Sequence, residues 1–399
     1  MSRAVAAWRH PAVWVILAGM MVAMHVGKVS VAIPTLREAL GISIVQAGTL
    51  LSMSQMAGML IAVFVGMFAD GWGLRRSLVS GLLLMGLASA LGGSASGIVG
   101  LLGLRVIEGI AFLLVVVSAP ALLRQVVAPE KLAQIMGVWG TFMPGGTAAA
   151  LLAGPWVLSH WGWSAWWQLL GAASLLMALT CALVLWPLSG GSGLRSGGFQ
   201  EHAQRLLQTW RNPGTWWVAL SFGLYSSQWL VVIGFFPTLL QAVGVSASAA
   251  GAVTAAVSVV NIFGNVLGGQ LLHRGWRVHH VLGGGFIIMA SCAVVIFNGL
   301  GEWPPVARMA AAVVFSGLGG MIPGALFSLA VRVAPSEQTV STSLGWTTQM
   351  SMVGQFVMAP TAAALSQATG TWQWTWLLNW GACVLALLLI ARLRLLLRA

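Results

Sequence analysis

Gly66-Met67-Phe68-Ala69-Asp70-Gly71-Trp72-Gly73-Leu74-Arg75-Arg76 separates two long apolar runs. These eleven residues hold the only aspartate of the chain, two adjacent arginines and three glycines, in a sequence of which 7% is charged. A short polar connection of this kind is what two membrane helices need where one leaves the bilayer and the next re-enters it. Outward from it, 58% of the 399 residues are hydrophobic and apolar runs of about 20 residues or more recur to both ends. In hydrocarbon only helices and closed barrels satisfy their own backbone, and these runs are continuous rather than alternating. The chain therefore reads as an all-α polytopic membrane protein.

Twelve spans are expected, at residues 11–33, 44–65, 77–91, 100–123, 134–157 and 165–186, then 213–236, 247–271, 281–300, 305–331, 339–363 and 374–396. Residues 1–187 make a first six-helix bundle and 213–399 a second. The Gly- and Ser-rich stretch 188–212 between them, with Arg195, Glu201, Arg205 and Arg211, reads as a linker with a short surface helix near 201–210. Of the 19 Lys and Arg residues, 15 fall at the N-terminus, in even-numbered loops or at the C-terminus. By the positive-inside rule both termini and the Asp70 loop face the cytoplasm, in a bacterial-type inner membrane. Trp161, Trp163, Trp166 and Trp167, and Trp372, Trp374 and Trp376, fit aromatic belts on the opposite side.

Several function classes drop out. The formal charge of +12 sits in short loops, where topology accounts for it, so nucleic acid is not a partner. Cys181, Cys292 and Cys383 lie far apart in apolar runs and indicate neither a disulfide framework nor a metal site. With no nucleophile, metal set or acid pair placed in a span, no enzyme and no cofactor is expected.

An internal repeat organises the chain. Adding 203 carries Pro34 to Pro237, Thr35 to Thr238, Gly41 to Gly244, Ser43 to Ser246, Gly66 to Gly269, Arg105 to Arg308 and Pro120 to Pro323. An even number of spans per copy keeps the copies in the same orientation, which is the parallel-repeat architecture of transporters.

The loop resembles the signature Gly-x-x-x-Asp-Arg-x-Gly-Arg-Arg/Lys of the major facilitator superfamily, matched at Gly66, Asp70, Gly73, Arg75 and Arg76 and missed at Gly71 and Leu74. Arg105-Val106-Ile107-Glu108-Gly109 is similar to the fourth-span signature of the same family. The short chain and Gly-rich spans are similar to its cyanate and nitroimidazole permease group. The resemblance implies a twelve-helix permease that rocks two halves around a midplane site lined by spans 1, 4, 7 and 10. It also implies that Asp70 with Arg75 or Arg76 latches the cytoplasmic ends, with His273 and Arg274 as the degenerate copy. Read from the residues alone, Asp70 caps the third helix and the arginines serve topology.

Charges inside spans are expensive, so those present are candidates for function. His25 and Lys28 share a face of span 1 at a spacing of three, as do Arg105 and Glu108 in span 4. Taking Pro34 as the outer end of span 1 puts Lys28 and Arg105 at similar depth. With Arg308 they favour an anionic substrate, unless Lys28 and Arg308 snorkel to the interface and Glu108 neutralises Arg105. Tyr225 and Gln228 supply neutral hydrogen bonding from span 7, and His25 or Glu108 could couple protons. The leading expectation is a monomeric secondary transporter for a small organic or inorganic anion. An exporter of drug-like or apolar metabolites comes second, and a transporter-like membrane sensor third.

Overall fold

The computed structural model describes residues 10–186 and 199–396; within its helices the side chains at 63–71, 133, 199–200, 202, 338 and 393–396 lie outside the described residues. Gly66 and Asp70 are among these, so the latch expected from them is untouched by side-chain geometry. Among the described residues fourteen α-helices follow one another: α1 Pro11–Leu40, α2 Ile44–Trp72, α3 Leu74–Gly92, α4 Ile98–Val126, α5 Pro129–Trp139, α6 Phe142–Val184, α7 Phe199–Arg211, α8 Pro213–Gln241, α9 Ala247–His273, α10 Val278–Ile296, α11 Pro305–Gly319, α12 Met321–Val333, α13 Val340–Thr369 and α14 Thr375–Leu396. They group into two units, one of Met1–Ile42 with Met56–Ser196, the other of Ser43–Gln55 with Gly197–Ala399. In the first, α1 packs along α6, and α3 against α4 and α6; in the second, α8 packs along α13 and α14, and α10 against α11 and α14.

The duplication is written in the backbone. α1 and α8 both begin on a proline, whose missing N–H costs nothing in a first turn, and His10 and Asn212 cap them by accepting from Ala12 and Gly214 amides. After each comes a left-handed glycine, Gly41 at φ 63° and Gly244 at φ 85°. The next helix of each copy is capped by serine, Ser43 Oγ accepting from the Gln46 amide (3.1 Å) and Ser246 Oγ from Ala249 (3.3 Å). Pro34 and Pro237 both sit inside their helices. The outer end expected at Pro34 is thus corrected: α1 runs on to Leu40 and stops at Gly41.

The opening stretch also differs from expectation. α2 stays helical through Trp72 and α3 starts at Leu74, so one residue, Gly73 at φ 102°, turns the chain. Asp70 belongs to the last turn of α2, and the N-cap of α3 is Gly73. Its copy turns at Gly275, φ 85°.

Ten stretches among the described residues are long and apolar enough to cross a membrane. Two features lift this to twelve crossings. α6 breaks at Gly162 (φ 75°), where it would otherwise be 43 residues long. A straight helix holds residues 154 and 166 about 18 Å apart. Here a Cβ on Gly154 would lie 3.4 Å from the Trp166 ring, so the chain doubles back. α13 has 30 residues but carries a buried polar face at Ser343, Thr347, Ser351 and Gln355, which lowers its hydropathy without exposing polar groups. Span 10 is split into α11 and α12 at Gly320, and span 5 into α5 and the start of α6 at residues 140–141; Pro323 and Pro144 each fall in the first turn after the break.

Candidate functional site

The first unit buries a charged cluster. His25 and Lys28 come from α1, Ser89 from α3, Arg105 and Glu108 from α4, and Ser174 from α6 beyond Gly162; each is 1% exposed or less. The i, i+3 spacing in α1 and α4 sets each pair on one face, and close helix contact brings the faces together. In α1, a Cβ on Gly27 would press on the Thr147 carbonyl oxygen at 2.8 Å; in α3, one on Gly81 would press on that of Ala111 at 2.9 Å.

Lys28 is saturated. Its Nζ lies 2.6 Å from Glu108 Oε1, 2.9 Å from Ser89 Oγ and 3.1 Å from His25 Nδ1, one acceptor for each ammonium hydrogen. Ser89 Oγ donates onward to the Trp167 carbonyl (2.8 Å), and the Trp167 ring faces the ammonium with its centroid 4.7 Å away. Arg105 Nη1 ion-pairs with Glu108 Oε2 and donates to the His25 carbonyl (2.9 Å). Trp166 Nε1 donates to the Lys28 carbonyl (3.3 Å). With Lys28 charged, His25 Nδ1 must accept, so a neutral imidazole carries its proton on Nε2 and faces Ser174 Oγ at 2.8 Å. One carboxylate thus serves two cations, inside a chain of hydrogen bonds along which a proton can shift between Lys28 and His25.

The other expected residues lie elsewhere. Arg308 is buried in the second unit, where Nε donates to the Ile296 carbonyl (2.9 Å) and caps the end of α10. Tyr225 Oη accepts from Asn261 Nδ2 (2.8 Å), and Asn265 Nδ2 donates to Asn261 Oδ1 (2.9 Å). Gln228 is fully buried, with Nε2 on the Leu224 carbonyl and Oε1 accepting from Cys383 Sγ (3.2 Å). Of the latch residues, Arg75 Nη2 donates to the Ala182 carbonyl (2.9 Å) in the last turn of α6, with its guanidinium 4.7 Å over Trp186. Arg76, His273 and Arg274 are exposed, and Gly73 is the turn itself.

Four residues of the cluster escape sequence reasoning: Ser89, Ser174, Trp166 and Trp167. Single serines are common in spans, and the two tryptophans read as an interfacial belt. That reading is corrected, because Trp166 and Trp167 are 2% and 1% exposed while Trp156 and Trp161, at 55% and 57%, keep belt-like exposure. The available signal was their position: four tryptophans in seven residues cannot all face the interface on one helix.

Comparison with known proteins gives these contacts a family. The chain is 32% identical over 228 residues to a 2-nitroimidazole transporter of Escherichia coli (strain K12), covering 54% of either chain. It is 28% identical over 171 residues to a puromycin resistance protein of Streptomyces alboniger, covering 43% of this chain and 34% of that one. The chain thus spans about half or less of the length of the curated relatives it matches. The crystal structure of a D-xylose-proton symporter superposes with a TM-score of 0.77 over 95% of this chain and 96% of that one; at 16% identity this likeness concerns the fold. The Major Facilitator Superfamily model matches residues 15–350 and 218–399. This chain is a multi-pass membrane protein, and it belongs to the Major Facilitator Superfamily.

Proposed function

We propose that the chain carries small, largely uncharged organic molecules of nitroheteroaromatic size by alternating access, in a bacterial-type inner membrane with both termini cytoplasmic, and acts as a monomer. The saturation of Lys28 by Glu108, Ser89 and His25 is the observation that carries this reading over the organic anions expected from the sequence. An anion site needs a cation with free donors, and a lysine with three protein acceptors offers none. The likeness to a 2-nitroimidazole transporter and to a resistance protein points the same way. His25, Lys28 and Glu108 then hold the coupling proton inside the first unit.

A second reading, transport of a small monocarboxylate, is favoured by one feature: Lys28 and Arg105 share a single carboxylate, leaving an excess positive charge. Proteoliposomes distinguish the two. Saturable, pH-gradient-driven movement of radiolabelled 2-nitroimidazole without movement of acetate or lactate is the expected result. Monocarboxylate uptake that Arg105→Gln abolishes would establish the second reading, and binding of either compound without accumulation would exclude both.

A further inference from the structure

Arg308 is a buried charge with an incomplete set of partners. It is 5% exposed, and its Nε donates to the Ile296 carbonyl (2.9 Å). Among the described residues no acceptor meets Nη1 or Nη2, and no carboxylate pairs with the guanidinium. The repeat makes the gap plain. Arg105 has Glu108 three residues on, whereas the matching residue after Arg308 is Ala311, so the second copy kept the arginine and lost its acid. Glu302, the acid nearest in sequence, is exposed on the α10–α11 connection. A guanidinium cannot give up its proton, and a buried cation with no counter-charge is strongly unfavourable.

Capping does not use the free edge. The last carbonyls of α10 are already taken by backbone: Ala293 accepts from Phe297 N (3.1 Å), Val294 from Gly299 N (2.8 Å) and Val295 from Asn298 N (3.3 Å). Ile296 is left for Nε, which completes the cap and leaves Nη1 and Nη2 unspent. Gly299 is held beneath the Trp376 ring, where a Cβ would lie 2.4 Å from the indole, so the turn that Arg308 leans on is fixed.

The surroundings favour negative charge. Arg308 is the fourth residue of α11, whose N-cap, Pro304, offers no side-chain hydrogen bond. The amides of Val306 and Ala307 precede the first bond of that helix, from Arg308 N to the Pro304 carbonyl (3.2 Å). Helical side chains lean toward the N-terminus, so the guanidinium and these amides lie at one end of α11, the positive end of its dipole. Its planar Nη1–Nη2 edge matches two oxygens of one group.

We infer that this edge of Arg308 holds an oxyanion, the phosphate of a lipid headgroup or a free phosphate ion, at the α10–α11 end of the second unit. The site is not the cargo site. Gly319, three turns on along the same face of α11, packs on Met289, so this face is turned to α10. The inference stands whichever cargo the chain carries.

The test uses the full-length protein, purified in detergent and washed free of lipid. Inorganic phosphate, against chloride of equal ionic strength, should raise its unfolding temperature by about 1–3 °C at ten times the dissociation constant. If lipid is the source, short-chain phosphatidylglycerol should give this rise and inorganic phosphate should not. Arg308→Gln should abolish whichever rise occurs, and Arg308→Lys, which keeps the charge without the fork, should lose most of it. Equal rises in all three proteins, or no rise in the unmodified one with either compound, would overturn the inference. A second measurement needs no variant: 2,3-butanedione, a small dicarbonyl that condenses with guanidinium groups, should modify Arg308, as read by mass spectrometry of its peptide. The effective anion should slow that modification about tenfold at ten times its dissociation constant. Modification that neither compound slows, or an Arg308 that the reagent never reaches, would refute the site and leave Arg308 as a helix cap alone.

Discussion

Glu108 holds two cations in a site closed to water, and its removal and theirs are not symmetrical. Glu108→Gln leaves Lys28 and Arg105 buried together without an anion, whereas Lys28→Met leaves Arg105 and Glu108 as a neutral pair with an apolar stem in place of the old one. Breaking a buried pair on one side costs about 3–5 kcal/mol, so Glu108→Gln should melt well below the wild type in a detergent thermal-unfolding assay. Lys28→Met should melt closer to it; the opposite order would mean that the ammonium, not the carboxylate, organises the cluster. This core was legible because the cost of burying charge singles out His25, Lys28, Arg105 and Glu108 in an apolar chain. Its depth in the bundle was not, because neutral Ser89 and Ser174 complete it and carry no such signature. Arg308 shows the limit of reading by repeat: it shares its register with Arg105, but its partner is the carbonyl at the end of α10, a backbone group that no side-chain pattern reveals.

Among the elements, the glycine pairs of spans 8 and 10 find each other. A Cβ on Gly264 would collide with the Gly317 carbonyl oxygen, one on Gly268 with that of Met321 and one on Gly324 with that of Asn265, all of them backbone atoms that no rotamer change can move. Gly269, one residue along, has nothing within 4 Å. Gly268→Ala should therefore cost about 1–3 kcal/mol through overpacking, and Gly269→Ala should be neutral or slightly stabilising, as read by thermal unfolding of the purified protein. Equal effects would show that α9 and α12 can separate without loss. The spacings Gly264-x-x-x-Gly268 and Gly320-x-x-x-Gly324 are legible in the sequence as close-packing faces; which face each meets depends on tertiary neighbours. The end of span 1 was read less well because proline was taken as a stop, since Pro34 lies inside α1. The turn at Gly162 falls in the gap between the spans expected at 134–157 and 165–186.

At the scale of the molecule, the two copies agree in their caps and glycine turns but differ in charge. His273 stands at the position matching Asp70, exposed at the end of α9. We predict that Asp70→Asn impairs transport in proteoliposomes more than His273→Asn does, and equal losses would contradict an asymmetric latch. Arg75 complicates the simplest version of that latch, because its guanidinium already ties α3 to the end of α6 and stacks on Trp186. Span number was legible because the repeat constrains the count; cargo was not. The turn at Gly73 has a consequence for how the chain is made. With one residue between α2 and α3, neither helix can settle in the bilayer while the other waits outside, since the stranded partner would hold its apolar surface in water at the mouth of the translocation channel. The two should enter as a hairpin in a single event, so a glycosylation acceptor or long tag spliced at Gly73 would be expected to block biogenesis rather than report topology.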